Sequence, residues 1–424
     1  MRVGTSRLAA AGTLLLLGRV HAAAPTDETS EAAIKDATAE CTSYNYPPVS
    51  NAMSSNSFPP LWQPVASVPT SDPGYAKFLA MNASIPPIAP KGTLGAPSNV
   101  IDTYPATDPD CWWSSAQCTT PKVAGLKPDI SNMPEPNTLG YGFDDGPNCS
   151  HNAFYDYLTS KNQKATMYYI GSSVMIWPLQ AQRAATDGHE ICVHTWSHRS
   201  MTAFTNEQAY GELYYTMQAI KLVTGVTPTC WRPPLGDVDD RIRYIAAQLG
   251  LETILWKYDA FDWKANDPAI VPPVTPADVQ KNYDNLIAAA QSGTFNSAGA
   301  IMLTHELNNF TMQTAVDNYD KLAAAFQHIV PVGVGYNKTQ PYVETNVTQP
   351  NFQQYTSGSR TGTPGSSAGA SGGSASGSGT GSAKGGAATG GSAQGGQSAG
   401  VVHQASVFAA LGLAFVGGAL ACVL

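Results

Sequence analysis

An α/β fold built on a mainly parallel sheet is what this sequence predicts, and two observations predict it. Between residues 137 and 336, short apolar runs alternate with longer amphipathic ones, and strand–helix alternation of that kind builds parallel sheets. On either side the composition changes. Pro, Ser, Thr and Asn dominate residues 23–136, and Gly, Ser, Ala and Thr dominate residues 357–400. A globular domain at 137–336 is therefore expected between an irregular extension and a tail with too little apolar surface to fold.

The elements follow from local pattern. Residues 1–22 read as a secretory signal peptide. Arg2 and Arg7 supply the positive start, an apolar stretch follows, and Val20-His21-Ala22 is a small-residue cleavage site. In the extension, Pro59-Pro60-Leu61-Trp62 and Cys111-Trp112-Trp113 suggest a segment clamped to the core by aromatics, with Trp112 and Trp113 free either to pack or to meet a sugar. Strands are expected at 139–143, 165–170, 190–193, 253–256 and 300–304. Helices are expected at 153–161, 177–187, 206–224, 239–249, 276–291 and 313–328.

Beyond the domain, a linker is expected over 337–400. Residues 401–424 end in an uncharged apolar tail without flanking basic residues. Small residues, a spacer and such a tail read as a glycolipid (GPI) attachment propeptide, which leaves no membrane span in the mature chain. The expected location is the cell wall and the outer face of the plasma membrane.

Only 13% of residues are charged and the net charge is −8. That excludes a nucleic-acid partner, which needs a basic stripe, and suits a neutral polymer. Secretion accounts for sequons at Asn82, Asn148, Asn309, Asn337 and Asn346. Setting aside Cys422 in the tail, six cysteines remain, with fifteen possible full pairings. Cys111 and Cys118 could form a local clip, and Cys192 reads either as a disulfide partner or as a buried thiol.

The chemistry concentrates in a few stretches. At 139–152 an apolar run ends in Asp144 and Asp145, followed by the turn Gly146-Pro147. Adjacent side chains on a strand point to opposite sides, so one carboxylate can hold a metal while its neighbour faces what the metal binds. At 188–198 stands Gly-His-Glu-Ile-Cys-Val-His-Thr-Trp-Ser-His. His194 and His198 are four apart, which on a helical turn would put both imidazoles on one face. Two imidazoles and a carboxylate leave a catalytic zinc an open position.

With Cys230-Trp-Arg-Pro-Pro-Leu-Gly236, Asp259-Ala-Phe-Asp-Trp263 and Leu303-Thr-His305 added, the chain resembles the polysaccharide deacetylases of the NodB-homology type (carbohydrate esterase family 4), most closely the fungal chitin deacetylases. Five short motifs occur in the family's order between residues 138 and 305. The resemblance implies a distorted, incomplete (β/α) barrel with chemistry at the C-terminal strand ends.

It further implies removal of N-acetyl groups from chitin with a divalent metal, Zn2+ or Co2+, by a monomeric enzyme. Asp145, His194 and His198 would be the metal ligands and Asp144 the base. Arg232 would orient that base. His305 would be the general acid, held by Asp262, with Asp259 a looser alternative. Substrate contacts would come from Asp144, Trp263, Leu303 and Leu235. Leu235 stands where the family usually has Tyr and would act through its backbone N–H. Another acetylated glycan as substrate, or a non-catalytic wall glycoprotein, are the competing readings. Outside the motifs, His189 is expected to be structural, His328 to lie on a surface helix and His151 in a solvated loop, with support of Asp145 as the alternative for His151.

Overall fold

The computed structural model describes residues 24–94, 97–265, 267–360 and 362. The expected signal peptide, most of the linker and the attachment tail lie outside these residues. Among the described residues, no helix is long and apolar enough to cross a membrane.

Nine strands among the described residues form two parallel sheets. One runs β2-β3-β4-β5-β6, with β2 at Gly142–Gly146, β3 at Thr166–Tyr169, β4 at Glu190–Val193, β5 at Cys230–Trp231 and β6 at Glu252–Thr253. The other runs β7-β8-β1-β9, with β7 at Tyr258–Asp259, β8 at Ala300–Leu303, β1 at Thr138–Gly140 and β9 at His328–Val330. The first sheet winds in sequence order, as in a (β/α) barrel. The second continues it past β2, where Asp144 bridges to His305 beyond the end of β8. The α/β class and its parallel sense are as expected.

The single strand expected at 139–143 is instead two, because the chain changes sheets at Tyr141. The Tyr141 N–H donates to Val330 beside β1, while its carbonyl accepts from Thr166 of β3. Glycine on both sides permits the step. A Cβ on Gly142 would stand 2.7 Å from the Thr166 carbonyl oxygen, and one on Gly140 2.5 Å from the Met133 sulfur. Strands β5, β7 and β9 were not foreseen; with two or three residues each, they are too short to show a period. The expected strand at 253–256 is reduced to β6, because Ile254 beyond it bridges to Ile130 instead.

Helices α1 (Glu28–Ala32), α2 (Ala37–Glu40), α3 (Pro47–Ser54), α4 (Pro73–Asn82) and α5 (Trp113–Ala116) lie in the extension, which is less irregular than its composition implied. Val65, Val68, Phe78, Met81 and Ile85 bury their side chains in the common core. Around the sheets lie α6 (Asn152–Ser160), α7 (Gly171–Ile176), α8 (Pro178–Thr186), α9 (Asn206–Thr224), α10 (Asp240–Gln248), α11 (Pro276–Gln291) and α12 (Asn309–Ala325). The helix expected at 177–187 begins one residue later because Pro178 opens a new helix after a break at Trp177. The helix expected at 313–328 starts earlier, where Asn308 caps Thr311 in a capping box, and stops at Ala325. His328 consequently lies on β9 rather than on a surface helix.

The domain also runs past residue 336, where the linker was expected to start. After α13 (Val332–Gly335) the chain continues to α14 (Phe352–Thr356), and Tyr342, Val347 and Tyr355 are buried in the core.

Three disulfides among the described residues secure the fold: Cys41–Cys149, Cys111–Cys118 and Cys192–Cys230. The local clip forms, and Cys192 is a disulfide partner rather than a thiol. Its bond spans 38 residues and joins β4 to β5, the strands that carry His194 and Arg232. A cross-link closing a loop of that size stabilises by about 4 kcal/mol in the chain-entropy account.

Candidate active site

The motif residues converge at the C-terminal ends of the strands. Asp144 and Asp145 close β2, His194 follows β4, Arg232 follows β5, Asp262 lies just past β7 and His305 just past β8. Backbone conformation is forced there. Asp145, Thr195, His198, Leu235 and Phe261 all have positive φ, between 52° and 76°. Non-glycine residues adopt that region at a cost of about 1–3 kcal/mol each and keep it only where the surroundings dictate it.

The two adjacent acids do diverge. A register shift falls between Asp144 and Gly146, so the chain kinks at Asp145. The Asp145 Oδ1 lies 3.4 Å from His194 Nε2 and 3.1 Å from His198 Nε2. The histidines are not on a helical turn as their spacing suggested. They sit in a loop in which Thr195 and His198 take left-handed conformations, and tertiary contacts bring the rings together, 5.0 Å between centroids.

The His194 Nδ1–H donates to the Arg232 carbonyl at 2.8 Å, which turns its Nε2 toward Asp145. Asp145 Oδ1 is buried and receives no directed hydrogen bond. A carboxylate oxygen and two imidazole nitrogens thus converge, with ligand atoms of all three residues within 4.8 Å of one another. The set fits a divalent metal. Two other groupings, around Cys111 and Cys192, consist partly of disulfide sulfurs with no thiolate to offer.

Asp144 is differently held. Its Oδ1 accepts from Arg232 Nη1 at 2.7 Å, and its Oδ2 lies 3.6 Å from His194 Nε2. Arg232 is fully buried, and its guanidinium stacks 3.8 Å over the Tyr168 ring. A buried pair like this loses several kcal/mol if one partner is removed, so one oxygen of Asp144 is committed and the other is free to act.

Asp262 takes two donors of His305: Nδ1–H at 2.7 Å and the backbone N–H at 3.0 Å. Burial alone would lower the imidazole's pKa. The Asp262 charge and hydrogen bond outweigh it, Asp145 and Asp144 add to the effect, and the group is pushed up to about 10. His305 is thus an imidazolium at neutral pH with Nε2–H as its remaining donor. Asp259, the alternative partner, instead accepts from the Phe261 N–H at 2.7 Å, and burial raises it to about 6.

Trp263 is half-buried with its ring 6.5 Å from that of His305. Leu303 is buried in β8. Leu235 is 44% exposed, and among the described residues its N–H has no acceptor. Trp112 is fully buried and gives its Nε1–H to Asp237, so it serves packing, while Trp113 is half-buried and packs on Trp256. The sequon residues Asn82, Asn309, Asn337 and Asn346 are exposed, whereas Asn148 donates its side-chain amide to the Leu307 carbonyl.

Two supporting acids were missed. Glu306, fully buried, accepts from the Asn148 N–H and the Tyr155 hydroxyl, and pairs with His151 Nδ1 at 2.8 Å. His151 is therefore not the solvated loop residue expected but a wholly buried anchor for the turn after Asp145. Glu212 on α9 accepts from the Trp196 and Ser197 N–H groups, the Ser197 hydroxyl and the Val65 N–H. It grips the loop between His194 and His198. The signal for it was a glutamate in phase with Ala209, Leu213 and Thr216 on the apolar stripe of an amphipathic helix. Glu212→Gln brings an N–H donor against those donors, and cation affinity at Asp145, His194 and His198 is expected to fall about 10- to 100-fold. Competition with a chromogenic chelator measures this, and an unchanged affinity would show that the loop is held by other means.

The polysaccharide deacetylase family model matches residues 131–254, which carry Asp144, Asp145, His194, His198 and Arg232 but not Asp262 or His305. Chitin deacetylase 2 of Cryptococcus neoformans var. grubii is 51% identical over 79% of this chain and 73% of its own. The chitin deacetylase of Amylomyces rouxii is 44% identical over 73% of each. Among solved structures, the chitin deacetylase of Colletotrichum lindemuthianum superposes with a TM-score of 0.43 at 20% identity, covering 50% of this chain and 92% of that one. With 51% of 341 aligned residues identical to the Cryptococcus protein, over 73% of that relative's length, this chain belongs to the polysaccharide deacetylase family.

Proposed function

We infer that this enzyme hydrolyses the acetamide of N-acetylglucosamine units in chitin, releasing acetate and leaving chitosan. The observation that carries the reading is a base and an acid held beside one cation site. Asp144 keeps one oxygen free beside His194, while His305, whose backbone bridges to that of Asp144, is held protonated by Asp262.

A divalent cation on Asp145, His194 and His198 would polarise the acetyl carbonyl and activate water there. Asp144 takes the proton of the attacking water through Oδ2, because Arg232 occupies Oδ1. The Leu235 N–H donates to the carbonyl oxygen as it gains charge. His305 gives its Nε2 proton to the amine nitrogen as the C–N bond breaks, and Trp263 walls the acetyl group. Burial of Asp144 and His305 keeps bulk water from screening these charges.

Two imidazoles and one carboxylate suit Zn2+, and Co2+ accepts the same donors. The signal-like start of the chain and its three disulfides support secretion. The C-terminal composition supports a GPI anchor and a place in the cell wall at the outer membrane face. Purified protein is expected to release acetate from chitin oligomers, to stop when treated with a chelator and to recover when Zn2+ or Co2+ is added. Acetate release that ignores the chelator, or none at all, overturns the reading.

A further inference from the structure

Trp62 is unusual for a tryptophan that the fold could have buried. Its side chain is 44% exposed, while its backbone is among the most constrained in the extension. Pro59, Pro60 and Pro64 fix φ on either side of it, and Trp62 itself stands at φ 62°, which costs energy for any residue with a Cβ. Its N–H donates to the Ser172 hydroxyl at 2.8 Å. That hydroxyl in turn donates to the Trp196 carbonyl at 2.7 Å. The Pro60 carbonyl accepts from Trp196 Nε1 at 3.0 Å, and the Phe58 ring stacks on Trp196.

Ser172 follows β3, and Trp196 lies midway between His194 and His198. Trp62 is thus presented at the active-site end of the barrel, two hydrogen bonds from the cation-binding loop. Leu235, Phe261 and Leu307, also exposed, follow β5, β7 and β8 at the same end. The rim therefore carries apolar side chains around a polar centre, and strain held in place at such a rim points to use rather than accident.

We propose that Trp62 is a sugar platform. Its indole stacks on the apolar C–H face of a pyranose ring of the chitin chain, on the β3–β4 side, beyond the unit being deacetylated. An aromatic with its backbone already fixed orders little on contact, so its apolar face is available at low entropic cost. The inference rests on chitin as substrate, and it adds a preference for longer oligomers that the reacting centre does not supply.

The test uses the full chain with Trp62→Ala and Trp62→Phe. For Trp62→Ala, KM on the chitin hexamer is expected to rise about tenfold, equivalent to about 1.4 kcal/mol, with kcat little changed and the dimer unaffected. Trp62→Phe restores most of the loss. Equal KM values for wild type and Trp62→Ala on the hexamer overturn the platform, as does an equal loss on dimer and hexamer. Calorimetric binding of the hexamer in an Asp144→Asn background separates the two readings. If no oligomer is turned over yet Trp62→Ala weakens binding tenfold, the activity is wrong and the platform stands. If binding is unchanged, the platform falls.

Discussion

Asp144→Asn is expected to lower acetate release by about a hundred- to ten-thousandfold, the range spanned by loss of a general base, with the metal still bound. Asp145→Asn is expected to lose metal and activity together. The two residues are neighbours in sequence, but the register shift at β2 sends them to different partners. One oxygen of Asp144 is tied to Arg232 and the other approaches the reacting centre. Asp145 Oδ1 faces both imidazoles and accepts no directed hydrogen bond. Metal analysis of the two purified variants, alongside turnover, distinguishes the roles. Equal metal loss in both would mean that the carboxylates share one function.

Asp262→Asn is expected to be almost as damaging and to change the pH profile as well. His305 must be protonated to hand a proton to the leaving amine. With Asp262 in place its pKa is pushed up to about 10, so the active form persists through neutral pH and is lost only as pH rises toward that value. A cation on Asp145 offsets that residue's part of the push, but the share from Asp262 remains. Removing the Asp262 charge lowers the pKa of the buried imidazole, because desolvation then acts with less opposition. The alkaline limb of kcat should therefore move to lower pH, with a loss at neutral pH of about a hundredfold or more. Asp259→Asn, altering a carboxylate bonded to Phe261 rather than to His305, should leave that limb in place. If both variants shift the limb equally, the acid is held by the pair and not by Asp262.

Much of the site was legible because the family's motifs are short and local. Asp-Asp-Gly-Pro, the two histidines, Arg232, Asp262 and His305 could be assigned in order along the chain, and the structure brings all of them to one end of the barrel. The parallel α/β class was legible too, since strand and helix periods alternate for about two hundred residues. The helix reading of His194 and His198 failed for a physical reason. A spacing of four is equally compatible with a loop whose residues take positive φ, and nothing in the residue types forces the choice.

What the sequence by itself determined is therefore the chemistry and the class of fold: which side chains could hold a cation, take a proton or give one. Tertiary structure alone decided how they are held. The change of sheets at Tyr141, the pairing of His151 with Glu306, the grip of Glu212 on the cation-binding loop and the use of the extension as part of the core all join residues far apart in the chain. Such contacts leave no local period, because they depend on burial: a carboxylate inside the protein must find donors wherever the packed backbone supplies them.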